Sequence, residues 1–125
     1  MTRTLAILTA IVVVSFATQA KAVGSVNNVT VTELSLDTNT TTGATLAWAH
    51  FSANIGGSRP PCLSTGWANE LAFDPTTAKG KALFSLLQSA FLSGKPVDVA
   101  GIPSSPMCTA MANGANAETL RYSAG

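Results

Sequence analysis

This sequence contains few of the residues from which enzyme active sites are built. His50 is its one histidine, and the chain carries no GxSxG, HExxH, CxxC or P-loop motif. Its six carboxylates are spaced singly, whereas a glycosidase needs two that face each other. We therefore expect no catalytic residues, no metal and no cofactor. A buried, unpaired carboxylate beside His50 in a cleft is the finding that would favour an enzyme instead.

A hydrophobic run long enough to span a bilayer is also missing. The apolar stretch Leu5–Phe16 has about 12 residues, whereas a spanning helix needs roughly 20. Arg3 precedes this stretch and the small-residue site Ala20-Lys21-Ala22 follows it, which is the pattern of a secretory signal peptide. We predict that residues 1–22 are removed and that the protein is secreted or periplasmic. An uncleaved membrane anchor is the alternative.

The remaining chain, residues 23–125, has the length of one domain and lacks any block of basic residues. Five basic side chains stand against six acidic ones after residue 22. Nucleic acid is therefore not an expected partner, and neither is a membrane for the mature form.

Only two cysteines are present, Cys62 and Cys108. In an oxidising compartment two thiols normally pair, so we predict a disulfide between them. Free thiols or a metal pair are the alternative. A bridge across this separation would stabilise the fold by roughly 4 kcal/mol through the entropy of the unfolded chain.

Alternating hydrophobic and β-branched residues predict five strands, and a longer period predicts one amphipathic helix. On the second strand Leu46 and Trp48 fall on one face and Phe51 on the other. Asp74 is the expected N-cap of the helix, and Gly94 its stop signal. The predicted strands are 26–36, 44–51, 67–73, 97–100 and 118–122, and the helix is 75–93.

The segments Phe73–Leu83 and Ala90–Val99, together with Cys108 and Glu118–Tyr122, resemble a family of small secreted bacterial proteins. They are more distantly similar to the receptor-binding B subunits of AB5 toxins of the subtilase-cytotoxin kind. The resemblance implies an OB-fold-like small barrel with one helix, an internal disulfide and a pentameric assembly. The strand order β-β-β-α-β-β agrees with such a barrel.

Three aromatic residues and one polar residue are the candidates for binding a ligand. Aromatic faces suit the apolar faces of sugars, and Trp often lies at binding surfaces. The alternatives are that both tryptophans are core residues, that the histidine lies at the surface or the barrel rim, and that the loop carrying Ser52 and Arg59 is merely solvated. Glu118 and Arg121 are expected to form a surface cross-strand pair. The candidate residues are Trp48, His50, Ser52 and Trp67.

Together these features predict an exported, non-enzymatic binding module for a glycan or a protein receptor, with assembly into a homo-oligomer left open. The alternative is a structural or stress-related envelope protein that has no small-molecule ligand.

Overall fold

A computed structural model describes residues 24–39, 42–102, 108–111 and 115–124. The predicted signal peptide, residues 1–22, lies outside the described residues. Strands and one helix account for most of the described part. They are β1 Ser25–Val29, β2 Val31–Thr38, β3 Thr45–Phe51, β4 Glu70–Phe73, α1 Ala78–Ser93, β5 Val97–Gly101, β6 Cys108–Ala110 and β7 Asn116–Ala124.

The strands form one sheet in the order β1-β5-β7-β4-β3-β2, and β6 adds to β7. Every pair is antiparallel except β4 with β7, which is parallel. The two end strands, β1 and β2, are separated in sequence by Thr30 alone. The sheet therefore curls until both ends meet at Thr30, whose backbone exchanges hydrogen bonds of 3.1 and 3.0 Å with Ser52.

The prediction of a mostly β fold with one helix is confirmed, and the details differ. In the described residues no ladder joins β1 to β2, so hydrogen bonds do not close the sheet into the expected barrel. The first predicted strand is two strands, which Thr30 separates. Within β1, Asn28 adopts a left-handed conformation (φ 55°), and the register with β5 shifts there. The short strand β6 is a further addition to the predicted order.

The main core lies between the concave face of the sheet and α1. Phe51, Leu71 and Phe73 pack in it, whereas Leu46 belongs to a second cluster on the opposite face with Trp48 against it. The predicted separation of faces on β3 is therefore confirmed. The core residues nearest to complete burial are Ala47, Ala49, Phe51, Leu71, Leu87 and Val99.

Helix α1 begins later than the sequence pattern predicts. Thr77 is the N-cap, and its Oγ1 accepts a hydrogen bond from the backbone N–H of Gly80 at 2.9 Å. The predicted cap, Asp74, instead accepts from the N–H and hydroxyl of Thr76, which forms a turn ahead of the helix. Gly94 ends the helix in the left-handed conformation, as predicted. Its buried residues are Gly80, Leu83, Leu87 and Ala90.

The predicted disulfide is confirmed. Cys62 and Cys108 are bonded, with their Cα atoms 6.2 Å apart, and the bond fastens the 52–69 loop to β6. Two hydrogen bonds between Ser64 and Asn116 strengthen the same junction. No helix in the described part of the chain is long and apolar enough to cross a membrane.

Candidate functional site

A row of three ionisable side chains crosses the face of the sheet opposite the main core. In the strand register, His50 of β3 stands between Glu33 of β2 and Glu70 of β4. Side chains alternate along a strand, so Trp48 lies on the same face as His50. Trp67, in the loop before β4, completes the group. We call these five residues the aromatic–acidic site.

Both ring nitrogens of His50 meet a carboxylate. Its Nδ1 lies 3.3 Å from an oxygen of Glu33, and its Nε2 forms an ion pair with Glu70. The three side chains differ sharply in exposure, at 52% for Glu33, 32% for His50 and 0% for Glu70. A ligand can therefore contact Glu33 and the imidazole, whereas Glu70 is inaccessible to it.

Both tryptophan rings lie close to the imidazole of His50, and neither is parallel to it. The ring centroids of Trp48 and His50 are 4.9 Å apart, and those of His50 and Trp67 are 6.4 Å apart, each pair tilted by 51°. Both tryptophans are half-buried. They pack against a small apolar cluster that supports them from below and that consists of Leu46, Ala72, Met111 and Ala117.

Glu70 has the most perturbed environment among these side chains. Burial raises the pKa of its carboxyl from 4.5 to about 7; His50 opposes this rise and Glu33 adds to it. No side chain or backbone group of the described residues donates a hydrogen bond to Oε1 of Glu70, although that atom is buried. A buried carboxyl oxygen without a hydrogen bond costs free energy, and perturbed groups of this kind cluster at functional sites.

A second polar group lies on the core side of the sheet and corrects one prediction. Glu118 is buried (1% exposed) and pairs with Arg59, whose Nε lies 2.5 Å from its carboxylate. The surface pair expected between Glu118 and Arg121 is therefore wrong. Within the 52–69 loop, the side chain of Arg59 is turned inward, at 17% exposed. The side chain of Arg121 lies outside the described part. Two glycines, Gly24 and Gly101, leave the space that the Glu118 carboxylate occupies.

Arg59 also organises the loop that carries Trp67. Its Nη1 donates to the backbone carbonyls of Ile55 and Ala68, at 3.1 and 2.6 Å. Ala68 immediately follows Trp67, and its carbonyl also accepts from the N–H of Ile55. The ion pair therefore holds the loop in place from the core side, and the disulfide holds it from β6.

The structure brings together three of the four residues predicted to bind a ligand, namely Trp48, His50 and Trp67. Ser52 is used otherwise, because its hydroxyl accepts from the N–H of Thr30 where the two ends of the sheet meet. The tryptophans are neither fully buried core residues nor fully exposed, since each is half-buried.

Sequence reasoning missed the two carboxylates of the site. Glu33 lies on the first predicted strand and His50 on the second, so an assumed antiparallel pairing of these strands could have placed the two side by side. Glu70 reaches His50 from the third strand. It is the buried carboxylate beside His50 that an enzyme would need, but it is ion-paired to that histidine. Among the described residues, no cluster of three or more His, Cys, Asp or Glu side chains is arranged to hold a metal ion.

The fold and the site define a small disulfide-bonded β domain with one helix and an aromatic–acidic patch on its sheet. No family model matches the chain, and no curated protein or solved structure does. The similarity to the toxin B subunits thus stays a prediction that rests on the sequence segments alone.

Proposed function

We propose that this protein is an exported, non-enzymatic module that binds a glycan at the aromatic–acidic site. The observation that carries the proposal is the grouping of Trp48 and Trp67 around His50, with the half-exposed carboxylate of Glu33 beside them. Sugars present apolar C–H faces between rings of hydroxyl groups. Aromatic faces receive the former, and carboxylate oxygens accept hydrogen bonds from the latter.

The geometry of His50 favours binding over catalysis. A general base needs a nitrogen that is free to meet the substrate, and both nitrogens of this ring face carboxylates. A glycosidase places the sugar between two carboxyl groups. Here the imidazole occupies the space between Glu33 and Glu70, and Glu70 is fully buried.

Export is the second part of the proposal. The disulfide between Cys62 and Cys108 supports an oxidising destination such as the periplasm or the extracellular space. The signal-peptide pattern of residues 1–22 supports the same destination.

Tryptophan fluorescence tests the binding site directly, because the two tryptophans of the chain are both members of it. The purified oxidised protein is first screened on a glycan array, and its hits are then titrated in solution. We expect a bound glycan to change the emission. The substitution Trp48→Ala should weaken binding about tenfold or more, because it removes one stacking face.

The matched control is Phe91→Ala, which removes a partly exposed aromatic ring on α1, away from the site. Its affinity should equal that of the unaltered protein. Light scattering on the same sample separates a ring of copies from a monomer. A monomer that binds no glycan would overturn the proposal and favour an envelope protein without a ligand.

A further inference from the structure

We infer that the glycan bound here carries a free amine and that acidic sugars are excluded, an inference that rests on the proposed function. The aromatic–acidic site combines aromatic faces with acceptor oxygens of negative charge. That combination recognises an ammonium group, which is attracted both to ring faces and to carboxylates.

The exposed charge of the site is negative. Glu33 is half-exposed and borders the imidazole at 3.3 Å, so it is the carboxylate that a ligand can reach. The nearby rings of Trp48 and Trp67 supply the faces for a cation–π contact. An ammonium group placed between Glu33 and these rings would be stabilised by both.

The cations whose side chains the structure describes lie away from this site. Arg59 is turned to the core side, where its Nε and Nη1 are bonded to Glu118 and to backbone carbonyls. Lys79 and Lys81 lie in the first turns of α1. This helix follows the Phe73 end of β4, whereas Glu70 is at the other end of that strand. Lys95 follows the end of the helix. No lysine or arginine among them is placed to receive the carboxylate of an acidic sugar.

Glu70 contributes to the exclusion of acidic sugars through its contact with His50. It is completely buried, its Oε1 receives no hydrogen bond from the described residues, and its Oε2 pairs with Nε2 of His50. Each ring nitrogen of His50 therefore already faces a side-chain oxygen of the site, and neither is free to receive an anionic ligand.

Three oligosaccharides of equal length test the inference by tryptophan fluorescence, at a pH below the pKa of the sugar amine. They are a glucosamine oligomer with free amines, the same oligomer with N-acetyl groups, and a uronic acid oligomer. We expect the free-amine oligomer to bind about fivefold more tightly than its N-acetylated counterpart, as for one partly exposed ion pair. The uronic acid oligomer should not bind.

The substitution Glu33→Gln should remove the preference for the amine, because it removes the charge that the ammonium group would meet. Its matched control is Asp37→Asn, which removes a carboxylate from the same strand four residues away and should keep the preference. Equal or tighter binding of the N-acetylated or acidic oligomer would overturn this inference while leaving the proposed function standing. Failure of every glycan to bind would overturn the proposed function itself.

Discussion

Glu70 and His50 are directly paired across strands β3 and β4, and the carboxylate is completely buried while the imidazole reaches the surface. This relationship joins the interior of the sheet to the candidate binding surface. It also gives the protein a titratable group with a displaced pKa, because burial raises the pKa of Glu70 to about 7.

The first prediction concerns the pH dependence of stability. The folded protein holds the Glu70 proton up to about pH 7, whereas the unfolded chain releases it near 4.5. The folded state therefore binds more protons between these values, and the free energy of unfolding should fall as pH rises through that window. The fall is on the order of 3 kcal/mol. Urea denaturation at a series of pH values measures it.

The variant that isolates this effect is Glu70→Gln, which keeps the shape of the side chain and cannot ionise. Its stability should be nearly flat over the same window and should exceed that of the unaltered protein above pH 7. Glu33→Gln is the control, and it should retain most of the slope. A slope that survives in Glu70→Gln would show that another group is responsible.

The second prediction concerns the ion pair between Arg59 and Glu118. Replacing Arg59 with Met leaves a buried carboxylate without its partner, which should cost about 3–5 kcal/mol. The double variant Arg59→Met with Glu118→Gln should recover much of this loss, since no unpaired charge remains. Thermal unfolding followed by circular dichroism measures both. If the double variant is as unstable as the single one, the loss arises from the packing of Arg59 and its hydrogen bonds to Ile55 and Ala68 rather than from charge.

The elements of this fold could be predicted because their signals are local. Gly94 ends the helix as expected, and the alternation of Leu46, Trp48 and Phe51 identified both faces of β3. What the sequence could not supply were contacts between distant segments. The burial of Glu118 depends on Arg59, and on the absence of a side chain at Gly24 and Gly101.

Only part of the site could be predicted from local signals. Aromatic residues and a single histidine are conspicuous, so Trp48, His50 and Trp67 could be named as candidates. Glu33 and Glu70 are two of six singly spaced carboxylates in the sequence, and the register of three strands places them beside His50. A tight turn would fix the register of a strand pair, but residues 52–69 separate β3 from β4, so no local pattern places Glu70 opposite His50.

A third prediction distinguishes the two candidate caps of α1. Thr77→Ala should destabilise the protein by about 1 kcal/mol, because the N–H of Gly80 loses the hydroxyl that accepts its hydrogen bond. Thr77→Ser keeps that hydroxyl and should be close to neutral. Denaturant midpoints of the two variants decide the matter, and an equal loss in both would mean that the hydrogen bond contributes nothing.

The last prediction links the disulfide to binding. The bond between Cys62 and Cys108 and the contacts of Arg59 are what hold the loop that carries Trp67. Replacing both cysteines with serine should lower the free energy of unfolding by about 4 kcal/mol through the entropy of the unfolded chain. Trp67 would then be positioned only by the contacts of Arg59 and by the hydrogen bonds between Ser64 and Asn116, so glycan affinity should also fall under conditions where the variant remains folded. The fluorescence titration measures this, with Trp67→Ala as reference. If the disulfide-free variant binds as tightly as the oxidised protein, these noncovalent contacts are sufficient to position Trp67.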